Sequence, residues 1–187
     1  VDKYNKRLFS QSRVIKDIRA NLFLHWMKDK FPGIPIILIM RHPCAVANSR
    51  SQGNWETNIE YYLSQEELVE DYLFQFEIEI RELKTEFEKH IFSWCIENYI
   101  PLQQFSKGEI FITFYENLCI KPEEEIQEIF TFLGKKFSSK ELKQTSIPSL
   151  ETSKRSAIIS GSSLVSSWRK NITDEQIKMS VRILSLF

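Results

Sequence analysis

The chain has 187 residues and 42% of them are hydrophobic, enough for one domain with a real core. Lys plus Arg and Asp plus Glu each total 25, so the formal net charge is zero and gives no global argument for nucleic acid or membrane partners. Cys44, Cys95 and Cys119 lie far apart, as do His25, His42 and His90, which argues against a disulfide framework and against a metal site.

No stretch approaches the ~18 consecutive apolar residues of a membrane span, and no signal peptide opens the chain. If these residues are the whole chain, its place is the cytoplasm. Val1 rather than Met opens it, which points to a processed or incomplete chain. Asn171-Ile172-Thr173 is a glycosylation sequon of a kind that often arises by chance.

In chain order, "RVIK" at Arg13–Lys16 reads as a short strand. "ANLFLHWMKDKF" follows, with Leu22, Phe23, Trp26 and Met27 spaced for one helix face and Pro32-Gly33 as its stop. "IPIILIM" is apolar on both pleat faces, as in a strand buried mid-sheet between helices. Pro43 and the small residues after it suit a helix start.

The long stretch from Ser64 to Tyr99 holds no Pro or Gly. It reads as two consecutive helices, with Ser64 and Glu67 as a capping box and Val69, Tyr72, Phe76, Leu83, Phe87 and Trp94 at helical spacing. A coiled-coil seam is the other reading of that spacing. "EIFITF" at Glu109–Phe114 is a second buried strand. "KPEEEIQEIFTFLG" is a helix opened by Pro122 and three glutamates and closed by Gly134. Thr173 with Gln176 opens the last helix. Residues 1–187 thus read as one α/β domain with a parallel sheet covered by helices.

In such sheets ligands bind outside the carboxyl ends of the strands. Arg41 stands at that end of the most apolar strand, and a helix begins just after it. An arginine beside the free N–H groups of a helix start outlines an anion site. Ser49, eight residues after Arg41, adds a hydroxyl if the helix turns it to the same side. The competing reading pairs Arg41 with a carboxylate and leaves Ser49 an ordinary helix residue.

The motifs in sequence favour the first reading. Arg41-His42-Pro43 with Ser49, then Trp94, then "FYENL" (Tyr115, Glu116, Asn117, Leu118), Pro122, Phe132-Leu133-Gly134, and finally "SKRS" and "SWRKNITDEQ" resemble the family of sulfotransferases that use 3′-phosphoadenosine 5′-phosphosulfate (PAPS). The resemblance runs from about residue 13 to 187. It implies a P-loop-type α/β fold and a PAPS co-substrate with no metal. It also implies transfer of a sulfonate to an acceptor hydroxyl or amine. Arg41 and Ser49 would hold the 3′-phosphate, Tyr115 would line the adenosine pocket, and Lys154 and Arg155 would lie in a loop closing over the phosphates. Lys16 would be the catalytic residue, beside the transferred sulfonate.

The chain departs from the family pattern in three places. Ile18 stands where relatives carry His or Pro, and His42 where they carry Asp or Asn. The Gly-Thr loop that cradles the phosphosulfate in relatives has no counterpart in the 15 residues before Lys16, which hold no glycine. The domain is therefore expected to be incomplete at its front, with its apolar sheet partly uncovered. Three functional readings follow: a sulfotransferase, a non-catalytic relative kept as a binding or interaction module, and a P-loop kinase, against which the Arg41–Ser49 spacing argues. The acceptor, whether saccharide, protein tyrosine, lipid or small metabolite, is not legible, nor is the catalytic base.

Overall fold

The computed structural model describes residues 14–57, 59–138, 163 and 165–187. The described elements begin with a 3-10 turn, Asn21–Phe23, running into helix α1, Leu24–Lys30. Strand β1 is Ile37–Met40 and helix α2 is Pro43–Gln52. Then come α3, Ile59–Leu63, and α4, Glu66–Leu68. A π-turn, Val69–Leu73, and a 3-10 turn, Phe74–Phe76, lead to α5, Glu77–Arg81. Helix α6, Glu86–Gln104, is followed by strand β2, Phe111–Phe114, α7, Tyr115–Ile120, and α8, Pro122–Phe132. A last 3-10 turn, Ser167–Asn171, precedes α9, Asp174–Leu184.

Helix α6 is the central column. Thr85 caps it in a complete capping box with Glu88, whose carboxylate accepts from Thr85 N–H at 2.6 Å. Phe87, Ile91, Phe92, Cys95, Ile96 and Ile100 are buried around it, so most of its circumference is covered, as for a helix inside a core. Helix α2 meets α6 through small buried residues, Cys44, Ala45 and Ala47, which let the two backbones approach closely. Helix α9 packs on another side, and beyond it the ring of Phe187 stacks on Phe76 at 4.2 Å and meets Phe92 at 5.1 Å.

The sheet is a parallel pair, with Ile37 beside Phe111 and Met40 beside Phe114. Residues side by side in a ladder point to the same face. Leu38 and Met40 join Ile36 and Ile110 in a second core cluster, against Leu24, Trp94 and Phe105. On the other face, helix α8 covers β2. Phe132 packs on Phe111 at 5.4 Å, and the buried Thr113 hydroxyl donates to Glu125 at 2.5 Å. Each face is therefore covered over one strand only. Ile39 stays 55% exposed on the α8 side, and Phe114 stays 48% exposed on the other.

This corrects the expectation that "IPIILIM" is buried on both faces: α8 reaches β2 but leaves Ile39 open. Three further local expectations are corrected. Val14–Lys16 is exposed coil rather than strand, so two strands rather than three make up the described sheet; Arg13 lies outside the described residues. Ser64 caps nothing. Its hydroxyl donates back to the Tyr61 carbonyl at 2.8 Å, and α4 starts after Gln65 without a side-chain cap. The helix around residues 21–30 turns Leu22 inward but leaves Phe23 and Trp26 half-exposed, stacked on each other at 4.4 Å. Residues 64–99 do break rather than form one long helix, but into three helices rather than two, the short α4 and α5, separated by a π-turn and a 3-10 turn, and then the long α6. The helix opened by Pro122 and the Thr173–Gln176 capping box are both present, and Gly134 takes the left-handed φ of +62° that ends α8.

Candidate functional site

The carboxyl ends of β1 and β2 lie next to each other, because Met40 and Phe114 are partners in a parallel ladder. The next residues of the two strands, Arg41 and Tyr115, therefore emerge side by side. The Arg41 guanidinium sits over the Tyr115 ring, 4.6 Å from its centre. Arg41 Nε is buried and has no hydrogen-bond partner among the described residues. A buried guanidinium donor without a partner is a group that an anion could satisfy.

One step further along both chains, the His42 N–H donates to the Glu116 carboxylate at 3.0 Å. The His42 ring is the cap of α2: its Nδ1 accepts from Cys44 N–H at 3.2 Å, which places the ring proton on Nε2. The ring also stacks on Trp168 at 4.3 Å, and the Arg169 guanidinium lies over the other aromatic system, 4.8 Å from its centre. Burial pushes His42 below the usual histidine value and the nearby Arg169 charge adds to this, against the opposing pull of Glu116. Tyr115 is pushed up, mainly by burial and by its hydrogen bond with the Cys119 thiol.

The start of α2 differs from the expected anion cradle. Pro43 has no N–H, Cys44 N–H is taken by His42 Nδ1, and Ala45 and Val46 N–H both go to the His42 carbonyl. The backbone donors at the helix start are spent internally, which leaves the Arg41 side chain as the donor at this strand end without a partner among the described residues.

The other predicted residues fall in different places. Ser49 lies in the second turn of α2 with its side chain exposed, and its hydroxyl makes no hydrogen bond among the described residues. Its neighbour Arg50 turns the other way and pairs with Glu97 of α6 at 2.6 Å, where Tyr62 also donates to the same carboxylate at 3.1 Å. Lys16 is exposed in coil, and no hydrogen bond or ion pair joins it to the Arg41 cluster. Lys154 and Arg155 lie outside the described residues. Among the described residues no group of His, Cys, Asp or Glu could hold a metal ion, and no helix is long and apolar enough to cross a membrane.

The structure brings together Arg41, Tyr115, His42, Glu116 and Trp168. Sequence reasoning placed the first two in the site. It missed the two carrying the polar ties, His42 as a cap and Glu116 as an acceptor. The available signal was positional: each follows, by one residue, a strand-end residue already singled out.

A parallel sheet with helices on both sides, and at its carboxyl edge an arginine whose buried Nε has no partner among the described residues, define an α/β protein. The family model described as "Sulfotransferase domain" matches residues 6–183, nearly the whole length, and the chain belongs to that family. Searches of curated proteins and of solved structures gave no match.

Proposed function

We propose that the chain binds PAPS through the Arg41 crevice and serves transfer of its sulfonate group to an acceptor hydroxyl or amine. The observation that carries this reading is the buried, unpartnered Nε of Arg41 at the strand end. A guanidinium offers a phosphate a planar fork of donors, so Arg41 suits the 3′-phosphate. The Tyr115 ring holds the arginine side chain from one side and lines the adenosine pocket. Ser49 adds a neutral hydroxyl donor to the phosphate, and Lys154 and Arg155 supply further positive charge over it. Lys16 stabilises charge developing on the leaving phosphate. The co-substrate brings the activated sulfonate, and no metal takes part.

A non-catalytic nucleotide-binding module is the second reading. The observation favouring it is Lys16, exposed in coil and unconnected to the Arg41 cluster. Two measurements separate the readings. Calorimetry with adenosine 3′,5′-bisphosphate and adenosine 5′-phosphate tests the crevice, and equal affinities for the two would remove the 3′-phosphate assignment. A radiolabelled PAPS transfer assay with mixed saccharide, tyrosine-peptide, lipid and small-metabolite acceptors tests catalysis. Binding without transfer to any of them would favour the module.

A further inference from the structure

We propose that Glu116 is a positioning residue for nucleotide recognition: by accepting the His42 N–H it fixes the turn that aims Arg41 at the 3′-phosphate of a nucleoside 3′,5′-bisphosphate. This rests on the reading of Arg41 as the phosphate ligand.

Two turns grip each other at two consecutive points. The first contact is the Tyr115 ring under the Arg41 guanidinium; the second is the Glu116 carboxylate on the His42 N–H, 3.0 Å away. The ladder between the strands ends at Met40 and Phe114, so no strand partner remains for His42. Helix α2 does not need that N–H either, since its first turn is closed by the His42 side chain and carbonyl. Glu116 is thus what satisfies a half-buried backbone donor directly beside Arg41, and an unsatisfied donor there would favour a rearranged turn. The backbone angles at Arg41 and His42 set where the guanidinium points. His42 itself sits at φ −47° and ψ 126°, outside the helix that follows.

A carboxylate in the first turn of α7 also favours that helix electrostatically, so a purely structural role must be separated from positioning. Replacement by glutamine does so, because the amide oxygen still accepts from His42 N–H while the charge is gone. The affinities of the full chain for adenosine 3′,5′-bisphosphate and adenosine 5′-phosphate are measured by calorimetry for wild type, Glu116→Gln and Glu116→Ala, with unfolding midpoints alongside. The expected result is that Glu116→Ala loses about tenfold of the preference for the bisphosphate, while Glu116→Gln stays within about threefold of wild type. A helix-start role alone would weaken Gln and Ala alike and leave the preference between nucleotides unchanged, which overturns the proposal. If wild type prefers the bisphosphate and Glu116→Ala prefers it equally, only the role of Glu116 falls. If wild type shows no preference, the Arg41 reading falls and takes this one with it.

Discussion

Arg41 and His42 are adjacent, and their chemistry differs in kind. Arg41 carries a guanidinium whose buried Nε has no hydrogen-bond partner among the described residues. Its replacement by alanine removes a charge-assisted contact worth about 2 kcal/mol, so the affinity for adenosine 3′,5′-bisphosphate should fall about thirtyfold in a calorimetric titration. An unchanged affinity would show that the 3′-phosphate binds elsewhere. His42 is a titratable cap. Its value in the fold is depressed from 6.5, so the unfolded chain takes up its proton first as pH falls. The stability it contributes is fully present above about pH 6.5 and is lost as pH drops through the folded value, when Nδ1 no longer accepts from Cys44. Asparagine also caps but does not titrate. Denaturant unfolding from pH 8 to pH 5 should therefore show wild type losing more stability than His42→Asn, by about one cap, ~1 kcal/mol. His90 is also depressed by burial and is common to both proteins, so the comparison isolates His42.

At the scale of elements, the site depends on how α2 is seated. Ala47 is fully buried where α2 meets α6, and Arg50 locks the same contact by pairing with Glu97. Ala47→Leu forces extra methylenes into that contact and should cost about 1–3 kcal/mol in a urea titration. A neutral result would mean that the two helices are loosely packed. The half-covered sheet follows from helix placement. Helices α1 and α6 cover the β1 side of one face and α8 covers the β2 side of the other, so Ile39 and Phe114 stay open on opposite faces.

The molecule as a whole joins two clusters of buried residues, one around α6, α2 and α9 and the other under the sheet, with Trp94 packed against both. Arg41 and Tyr115 emerge side by side at the carboxyl edge of the sheet, and the proposed function puts the nucleotide there. On the proposed reading of the chain as a transferase, catalysis depends on Lys16. In any preparation that transfers sulfonate, Lys16→Ala should lower kcat on the order of a hundredfold and change co-substrate affinity little, as for an interaction made in the transition state. The opposite pattern, weaker binding with normal turnover, would make Lys16 a binding residue. Single-turnover and equilibrium-binding measurements on the same mutant decide between them.

Much of this was legible without coordinates. Apolar runs and capping residues act locally, so the amino-acid order alone marked β1, β2, α8 and the Thr173 cap of α9, and it put Arg41 and Tyr115 at strand ends. The family resemblance was equally legible, because it rests on residue types at fixed separations. Pairing was a different matter. Which strands lie side by side is a long-range choice, and only the register of β1 on β2 showed that Arg41 meets Tyr115 and that His42 meets Glu116. The same holds for the exposed Ile39, since an apolar residue carries no record of which helix will reach it. The failed cap at Ser64 has the same origin: its hydroxyl bonds as well to the Tyr61 carbonyl behind it as to an N–H ahead, and the surrounding chain decided which. Local chemistry set the parts of the site, and tertiary contacts between distant residues set how they meet.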